Sequence, residues 1–208
     1  HNSEHYCWVN PLMDRFINIP IARELKKQGV KAYLTAVGGH NDPAKMDELI
    51  KEGVVDFFSI GRGILADSDL PKKWLTGKEE DVKPCIRCSD CMAGLYTGFY
   101  RCNINPTVGQ EAYLLNTPKP ESSRNVLIVG GGVGGMQAAI TACDRGHKVT
   151  LIEKNDKLGG TLLFADYGHK DDLKNLKDYY VRQVEKRDIA VCCNTCLLYT
   201  SDAADEAR

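Results

Sequence analysis

The apolar positions of the chain fall into two stretches in which short apolar runs alternate with segments of helical periodicity. In the first stretch, the runs Lys31–Val37 and Val54–Ile60 are typical of buried strands. Between them, Asp42 and Pro43 supply an N-cap residue and a proline at the first helical position, and Gly53 ends the segment. Strand, short helix and strand at this spacing predict a parallel βαβ unit whose strands are buried on both faces.

The same alternation returns in the last third of the chain. Asn125–Val129 is predicted to be a strand, residues 130–135 a glycine loop, Met136–Arg145 a helix and Lys148–Glu153 the next strand. A later helix is marked by apolar residues at helical spacing, namely Leu173, Leu176, Tyr180 and Val184. A further strand is expected at Ile189–Cys193. Both stretches therefore predict an α/β fold with parallel sheets.

The interval between the two stretches has no regular pattern. Residues 64–84 are polar and carry Pro71 and Pro84, which we interpret as breakers of regular structure. Residues 85–106 contain closely spaced cysteines and are predicted to be a loop. Residues 107–124 resemble a linker that ends in prolines and serines. The interval therefore separates two α/β regions.

Composition narrows the classes of protein to which the chain can belong. Of its 208 residues, 43% are apolar and 26% are charged, which is typical of a folded globular protein and excludes collagen-like and wholly disordered chains. The 27 basic residues nearly balance the 28 acidic residues, so no basic excess favours nucleic acid or an anionic membrane as a partner. No apolar run approaches the roughly 18 residues that a membrane span requires. The composition therefore indicates neither kind of partner, and a small-molecule substrate is implied only by the resemblance to known enzymes.

Cysteines provide the first candidate site. There are nine of them, and this odd number without a visible secretory signal favours a reducing compartment such as the cytoplasm. Four follow the spacing Cys85-x2-Cys88-x2-Cys91-x10-Cys102. Three thiolates two residues apart suit one face of a compact inorganic centre, and a fourth closes its far corner, which favours a [4Fe–4S] cluster. Structural zinc, which more often uses two separated pairs of ligands, and a chance grouping are the alternatives.

A glycine motif directly follows a predicted strand and provides the second site. Gly130, Gly132 and Gly135 have the GxGxxG spacing and open a helix, and Glu153 ends the next strand. Such glycines allow a tight turn, close approach of a pyrophosphate and close packing of helix on strand, while the acid takes the ribose hydroxyls. Gly160 adds a second point of close backbone approach. The order of strand, loop, helix, strand and acid favours dinucleotide binding over a structural glycine turn.

The third candidate site lies where the two strands of the first stretch end. Gly38 and Gly39 follow the first strand, and Gly61 and Arg62 follow the second. In a (β/α)8 barrel, the loops after the last two strands bind a phosphate through backbone amides, and an arginine can add a bidentate contact. Turn glycines with a surface arginine fit the residues equally well.

The order of these three sites resembles one family of enzymes. The resemblance rests on TAVGGHNDP, FFSIGRGILADSDLP, KPCIRCSDCM with CNINP, NVLIVGGGVGG, GHKVTLIEK and LGG, and it covers residues from about 11 to 195. The chain is similar to 2,4-dienoyl-CoA reductase, trimethylamine dehydrogenase, clostridial enoate reductase and bile-acid-inducible NADH:flavin oxidoreductases.

The resemblance implies a fold class and a domain order. It implies the C-terminal part of an Old Yellow Enzyme-like (β/α)8 barrel that holds FMN over residues 1–83, and a [4Fe–4S] segment over residues 84–107. A linker would occupy residues 108–124, and residues 125–195 would begin a Rossmann-like FAD/NAD(P)-binding domain. The fold class is therefore α/β in both domains.

The resemblance also implies site residues by position. The FMN phosphate would be held by Gly38, Gly39, Gly61 and Arg62. The cluster would be ligated by Cys85, Cys88, Cys91 and Cys102. The FAD would be held by Gly130, Gly132, Gly135, Glu153, Lys154 and Gly160. One departure is Thr161, because many relatives have glutamine after the Gly-Gly pair.

The reaction that the resemblance implies begins with NAD(P)H. Electrons would pass through FAD and the [4Fe–4S] cluster to FMN, which reduces an activated C=C bond of the enoate or enoyl-CoA type, and the cofactors carry this chemistry. Some relatives dehydrogenate an amine instead. The proton donor in relatives is a histidine or tyrosine of earlier barrel strands. His5 is a candidate here, but a surface histidine is the interpretation that the sequence favours, so the catalytic residue is not assigned. A homo-oligomer is left open.

The last 13 residues do not continue the α/β pattern. Cys196–Glu206 resembles the translation of a transposon sequencing adapter, so we expect residues 196–208 to be foreign to the fold. The chain also begins with His1 rather than Met. We therefore expect an internal piece of a larger enzyme that is inactive alone.

Two other classes of protein stay open at this point. A glutamate-synthase small-subunit-like protein also places a cysteine segment before an FAD fold, but helical sequence would precede Cys85 there, rather than a βαβ unit. A non-catalytic binding module with structural zinc is the other alternative, and metal analysis separates it from both enzymes.

Overall fold

A computed structural model describes the chain over residues 9–114, 116–168 and 170–197. It divides into two compact units, His1–Asn116 and Thr117–Arg208. Both units are built from helices and parallel strands, which confirms the predicted α/β character.

The first unit contains a two-stranded parallel sheet. Strand β1 (Thr35–Val37) pairs with strand β2 (Phe57–Ser59). The helices of this unit are α1 (Ile19–Lys27), α2 (Pro43–Lys51), α3 (Arg62–Ala66), α4 (Leu70–Leu75), α5 (Asp90–Thr97) and α6 (Glu111–Leu114), with a 3-10 turn at Glu79–Asp81. Because α2 connects β1 to β2, the predicted parallel βαβ unit is confirmed. The prediction that both faces of its strands are buried is wrong, since Val37 and Phe57 are exposed.

Helix α2 begins and ends as its sequence predicts. The side chain of Asp42 accepts a hydrogen bond from the backbone N–H of Lys45 (3.0 Å), which satisfies one of the amides that the first helical turn leaves unpaired. Pro43 occupies the first helical position, and Gly53 follows the helix with a φ of +69°. Residues at its two ends therefore determine where the helix that connects the two strands begins and ends.

The two strands are shorter than predicted because part of each apolar run packs without pairing. Val54 and Val55 are buried, but the amide of Val54 donates to the carbonyl oxygen of Leu49 (3.0 Å) and so closes the turn after α2. The amides of Asp56 and of Phe57, the first residue of β2, both donate to the carbonyl oxygen of Leu34, which precedes β1. The core of this unit consists of Ile19, Ala22, Ala36, Leu49, Val54 and Val55.

Two predictions for the interval after β2 are wrong. Pro71 does not break regular structure but lies in the first turn of α4, where its missing N–H has no helical partner to lose. The cysteine segment is not a continuous loop, because α5 forms within it. This helix follows Ser89 at a φ of +61° and ends before Gly98 at a φ of +75°.

The second unit has a three-stranded parallel sheet in the order β3 (Asn125–Val129), β4 (Lys148–Ile152) and β5 (Ile189–Cys192). Helix α7 (Val133–Asp144) connects β3 to β4, and helix α8 (Asp171–Glu185) precedes β5. A 3-10 segment covers Gly160–Asp166. The predicted strand, loop, helix and strand are confirmed, but α7 begins three residues earlier than predicted, at Val133.

Helix α7 packs against the sheet, and α8 packs against α7 and the 3-10 segment. Met136, Ala139 and Ile140 are the buried residues of α7. The predicted apolar face of α8 is largely correct, because Leu176, Tyr180 and Val184 are all nearly inaccessible to solvent. Two residues of β3, Leu127 and Val129, are in contrast more than half exposed. The helices therefore cover one face of the sheet and leave part of the other open.

None of the helices in the described ranges combines the length and the apolar composition that crossing a membrane requires.

Candidate functional site

The four cysteines of the predicted metal site line one small pocket of the first unit. Cys85, Cys88, Cys91 and Cys102 surround it together with the side chains of Arg62, Leu65, Ile86, Ser89 and Ile104. The fold thus brings the fourth cysteine back to the first three across an excursion of ten residues.

The first three cysteines are arranged by an unusual backbone. Arg87 and Ser89, on either side of Cys88, have φ values of +54° and +61°, which residues with side chains rarely adopt. The turn at Arg87 brings its backbone N–H to 3.4 Å from Sγ of Cys85. Cys91 follows in the first turn of α5. The strained turns therefore fold the thiols around the pocket instead of spreading them along a strand.

The fourth cysteine is held in place by its two neighbours in sequence. Arg101 forms an ion pair with Asp90, with Nε 2.7 Å from Oδ2 and Nη2 3.1 Å from Oδ1. On the other side of Cys102, Nδ2 of Asn103 donates to Sγ of Cys88 (3.5 Å). Both neighbours of Cys102 therefore reach back to the segment that carries the first three cysteines.

Burial and charge act in opposite directions on the thiols. Burial raises the pKa of Cys85 and Cys91, and the positive charge of Arg62 partly offsets this rise in both pKa values. Cys88 is exposed, Cys91 is buried, and Cys85 and Cys102 are half-buried. Because metals bind thiolates rather than thiols, the Arg62 guanidinium favours the form that binds.

The donor set of this pocket fits an iron–sulfur cluster. A single zinc ion with Zn–S distances of about 2.3 Å would bring its sulfur atoms to within about 4 Å of one another. In the part of the chain that the structure describes, no three histidine, cysteine, aspartate or glutamate side chains converge closely enough to hold one metal ion. Four thiols around one pocket are the donor set that an iron–sulfur cluster requires, and structural zinc can use the same donors.

The predicted phosphate glycines lie at the ends of β1 and β2. Gly38 and Gly39 have φ values of +138° and +70°, so their backbone conformation requires glycine. Gly61 has an ordinary φ of −92°, and a Cβ placed on it would meet no atom within 4 Å. Neither strain nor packing among the described residues therefore explains Gly61, and its open surface fits the close approach of a ligand.

Arg62, which is predicted to bind a phosphate, makes two hydrogen bonds that its position in the sequence does not predict. Its Nη1 donates to Oγ of Ser89 (3.1 Å), and its Nη2 donates to the carbonyl oxygen of Val9 (2.6 Å). The guanidinium therefore joins the start of α3 to the cysteine loop. An arginine carries five N–H donors, so these two bonds leave donors for an anion.

Two further arginines of this region were missed by the sequence analysis. Arg15 donates to the carbonyl oxygens of Gly39 (2.8 Å) and Cys85 (3.4 Å). Arg87 is buried and donates to the carbonyl oxygens of Met13 (2.6 Å) and Pro11 (3.4 Å). Arg87 lies within the motif CIRC. Nothing in the sequence, however, predicts its hydrogen bonds to residues more than 70 positions away.

In the second unit, a different physical requirement explains why each position of the GxGxxG motif is a glycine. Gly130 has a φ of +101°, which the tight turn requires. A Cβ on Gly135 would overlap the carbonyl oxygen of Gly130, so this position must lack a side chain for α7 to pack on β3. Gly132 has an ordinary φ of −74°, and a Cβ placed on it would meet no atom within 4 Å. The surface at Gly132 is therefore open, as the approach of a pyrophosphate requires.

Glu153 directly follows β4, and its side chain is hydrogen-bonded to the glycine loop. Its Oε2 accepts a hydrogen bond from the N–H of Gly131 (2.6 Å), and its Oε1 accepts from the backbone N–H (2.9 Å) and Nδ2 (2.7 Å) of Asn155. Burial acts to raise the pKa of Glu153, but these donors outweigh it and the net shift of the pKa is downward. Lys154, the next predicted contact, is exposed.

The LGG segment lies directly on the glycine loop. The N–H of Gly159 donates to the carbonyl oxygen of Gly131 (2.8 Å). Gly160 has a φ of +54°, and a Cβ there would come within 2.9 Å of Cα of Gly132. The predicted second point of backbone approach therefore adjoins the first. The candidate proton donor His5, in contrast, lies outside the described residues.

Known proteins are similar to this chain over most of its length. The FAD dependent oxidoreductase family matches residues 125–186, which include the glycine loop and Glu153. The NADH oxidase of Thermoanaerobacter brockii is 35% identical over 175 residues, which are 82% of this chain and 27% of that protein. The cinnamate reductase of Clostridium sporogenes is 36% identical over 184 residues, which are 85% of this chain and 27% of that protein.

The chain belongs to the enoate reductase and trimethylamine dehydrogenase-like family. A solved member, histamine dehydrogenase from Rhizobium sp. 4-9, superimposes with a TM-score of 0.84 at 26% identity, over 95% of this chain and 30% of that one. The chain thus spans between a quarter and a third of the length of these members of the family. The βαβ unit before Cys85 also argues against a glutamate-synthase small-subunit-like protein, for which helical sequence was expected there.

Proposed function

We propose that this chain is part of a flavin and iron–sulfur oxidoreductase that reduces an activated C=C bond at the expense of NAD(P)H. When bound, FMN and FAD supply hydride chemistry and a [4Fe–4S] cluster supplies one-electron transfer between them. The residues of the chain would hold these groups, keep them in order and set their electrostatic environment.

The observation that carries the proposal is the pocket shared by the four cysteines and Arg62. It supports two adjacent sites, because Arg62 is bonded to Ser89 of the cysteine loop while it begins α3 directly after Gly61. A phosphate at Gly61 and a cluster at the thiols would both be anionic. One guanidinium between them would stabilise both charges.

In the same proposal, the second unit would bind the dinucleotide part of FAD. The open backbone at Gly132 lies at the N-terminus of α7, where unpaired amides and the helix dipole favour a pyrophosphate. Glu153 keeps a free acceptor site on Oε2, which carries one bond in the described residues, and a ribose hydroxyl is a suitable donor for it. The matched FAD family supports this assignment.

The C=C substrate is proposed from the names of relatives, among them cinnamate reductase. Oxidation of an amine is the second candidate, and it is favoured by the overall likeness to histamine dehydrogenase. Both reactions belong to flavin chemistry, but they pass electrons in opposite directions. The cytoplasm is proposed as the compartment because nine cysteines, an odd number, favour a reducing environment over a disulfide framework.

The test uses the complete protein of which this chain is part, purified without oxygen. We expect iron, acid-labile sulfide, FMN and FAD in the preparation, and NAD(P)H oxidation that depends on an unsaturated acid or enoyl thioester. Amine-dependent reduction of an artificial acceptor without NAD(P)H would replace the first candidate with the second. Zinc in place of iron and sulfide would overturn the proposal.

A further inference from the structure

The side chain of Asn103 contacts a different cysteine from the one it follows in sequence. Its Nδ2 donates to Sγ of Cys88 at 3.5 Å, although it is next to Cys102 along the chain. The contact spans 15 positions and joins two of the four predicted ligands through a single side chain. Nothing in the GxGxxG or cysteine motifs assigns a role to this asparagine.

The position of Asn103 is fixed by contacts on both sides. Before it, Arg101 is paired with Asp90 at two points. After it, Nδ2 of Asn105 donates to the carbonyl oxygen of Leu65 (2.8 Å), and Oδ1 of Asn105 accepts from the N–H of Thr107 (3.1 Å). The backbone that carries Asn103 is therefore tied down, so that its amide is directed to the sulfur at a low cost in conformational entropy.

Cys88 is the cysteine of the pocket at which such a donor matters most. It is exposed, whereas Cys91 is buried and the other two are half-buried. Water at an exposed sulfur exchanges rapidly and bonds in many orientations. A side-chain amide anchored by its neighbours instead provides one fixed donor at that corner.

We propose that Asn103 is a positioning residue that sets the reduction potential of the cluster through its N–H···S bond to Cys88. The inference rests on the proposed function, since it requires that the thiols ligate an iron–sulfur cluster. Reduction adds negative charge to the cluster and its sulfur ligands, and an N–H donor stabilises that charge more in the reduced state. The bond therefore raises the reduction potential.

The experiment is a redox titration of the complete holoenzyme, monitored by EPR of the reduced cluster. The variant Asn103→Leu removes the donor at nearly constant volume, and Asn116→Leu is the matched control, because Asn116 is bonded to the carbonyl oxygen of Ala112 instead. At a fixed potential, we expect the ratio of reduced to oxidised cluster to fall three- to tenfold in Asn103→Leu, where tenfold is about 59 mV for one electron. Asn116→Leu should match the wild type, and Asn103→Gln, which keeps an amide, should recover part of the shift.

Equal potentials in the wild type and Asn103→Leu would overturn the role of Asn103 while the proposed function stands. Zinc without iron and sulfide in the wild type would overturn both. A second measurement does not depend on the stability of a variant: wild-type protein labelled with 15N-asparagine should show hyperfine coupling between the reduced cluster and the amide nitrogen. Absence of that coupling in a protein with a complete cluster would also overturn the inference.

Discussion

Arg101 and Asp90 form a two-point ion pair that joins the residue before Cys102 to the residue before Cys91. The Arg101 side chain holds the pKa of the Asp90 carboxyl below its usual range, so the pair is charged at neutral pH. The pair therefore brings the last of the four thiols to the other three before any metal is bound. Preorganisation of this kind reduces the entropy that metal binding must overcome.

The first prediction concerns this ion pair. Asp90→Asn keeps the shape of the side chain but removes the charge, so Arg101 holds the Cys102 segment less firmly. We expect release of iron to a chelator to be about twofold faster, a modest effect because exposed ion pairs are weak. The control is Glu48→Gln, which removes the exposed pair with Lys45 far from the cysteines in sequence and should leave the rate unchanged.

The second prediction separates two glycines of one motif. Gly132→Ala should change the free energy of unfolding by less than about 0.5 kcal/mol, because a Cβ there meets no atom. It should nevertheless lower FAD affinity at least tenfold, since the methyl group occupies the predicted path of the pyrophosphate. Equilibrium unfolding and flavin release, measured on the same protein, test both parts. Unchanged flavin affinity would contradict the dinucleotide assignment.

In contrast to Gly132→Ala, Gly135→Ala is predicted to lower the free energy of unfolding. A Cβ at this position overlaps the carbonyl oxygen of Gly130, so α7 must move away from β3. Overpacking of this kind costs about 1–3 kcal/mol. Urea unfolding of the variant should show this loss, and a stability equal to that of the wild type would mean that the helix does not pack on the strand as described.

The fourth prediction concerns the carboxylate of Glu153. Glu153→Gln replaces an acceptor oxygen by an NH2 group, which must face either the N–H of Gly131 or the donors of Asn155. Leaving a buried donor without its acceptor costs about 1–3 kcal/mol in the free energy of unfolding. Glu185→Gln, at the exposed end of α8, is the matched control and should be close to neutral. Equal stability of the two variants would contradict the described network.

The fifth prediction is a pH dependence that arises from His40. This side chain is buried between Phe16 and Phe58, with both ring centroids 4.7 Å away. Burial lowers its pKa from 6.5 to about 4, and the backbone of Ala36 opposes this shift only in part. Unfolding therefore takes up a proton below pH 6.5, so stability falls as the pH decreases towards 4.

The size of this effect follows from the two pKa values. Between pH 7.5 and pH 5, the free energy of unfolding should fall by about 2 kcal/mol because of His40. Urea denaturation at the two pH values measures the difference, and His40→Phe should remove most of it. A variant that retains the full pH dependence would assign the effect to other groups.

The features that the sequence predicted correctly depend on local chemistry. Asp42 caps a helix that begins at the next residue, and Gly130 adopts the positive φ that the turn after β3 requires. The apolar face of α8 follows from helical spacing alone. The parallel pairing of β1 with β2 follows from the length of the connection between them. These features can be predicted from short stretches of sequence, without knowledge of the rest of the fold.

The features that were missed depend on distant contacts or on unusual backbone. Helix α5 was not predicted because Ser89, rather than glycine, has the positive φ before it. The bonds of Arg15 to Gly39 and of Arg87 to Met13 join segments that are far apart in sequence. A single sequence carries no signal for such pairs, although they determine how the cysteine loop meets the segment that follows β1.

The open face of the β3–β5 sheet affects how the protein must be handled. Leu127 and Val129 are 55% and 60% exposed at alternate positions of β3, so both lie on the same face of the sheet. Adjacent apolar side chains in water favour self-association, which grows with concentration. Spectra of this polypeptide should therefore be recorded in dilute solution, where self-association through this face is weakest.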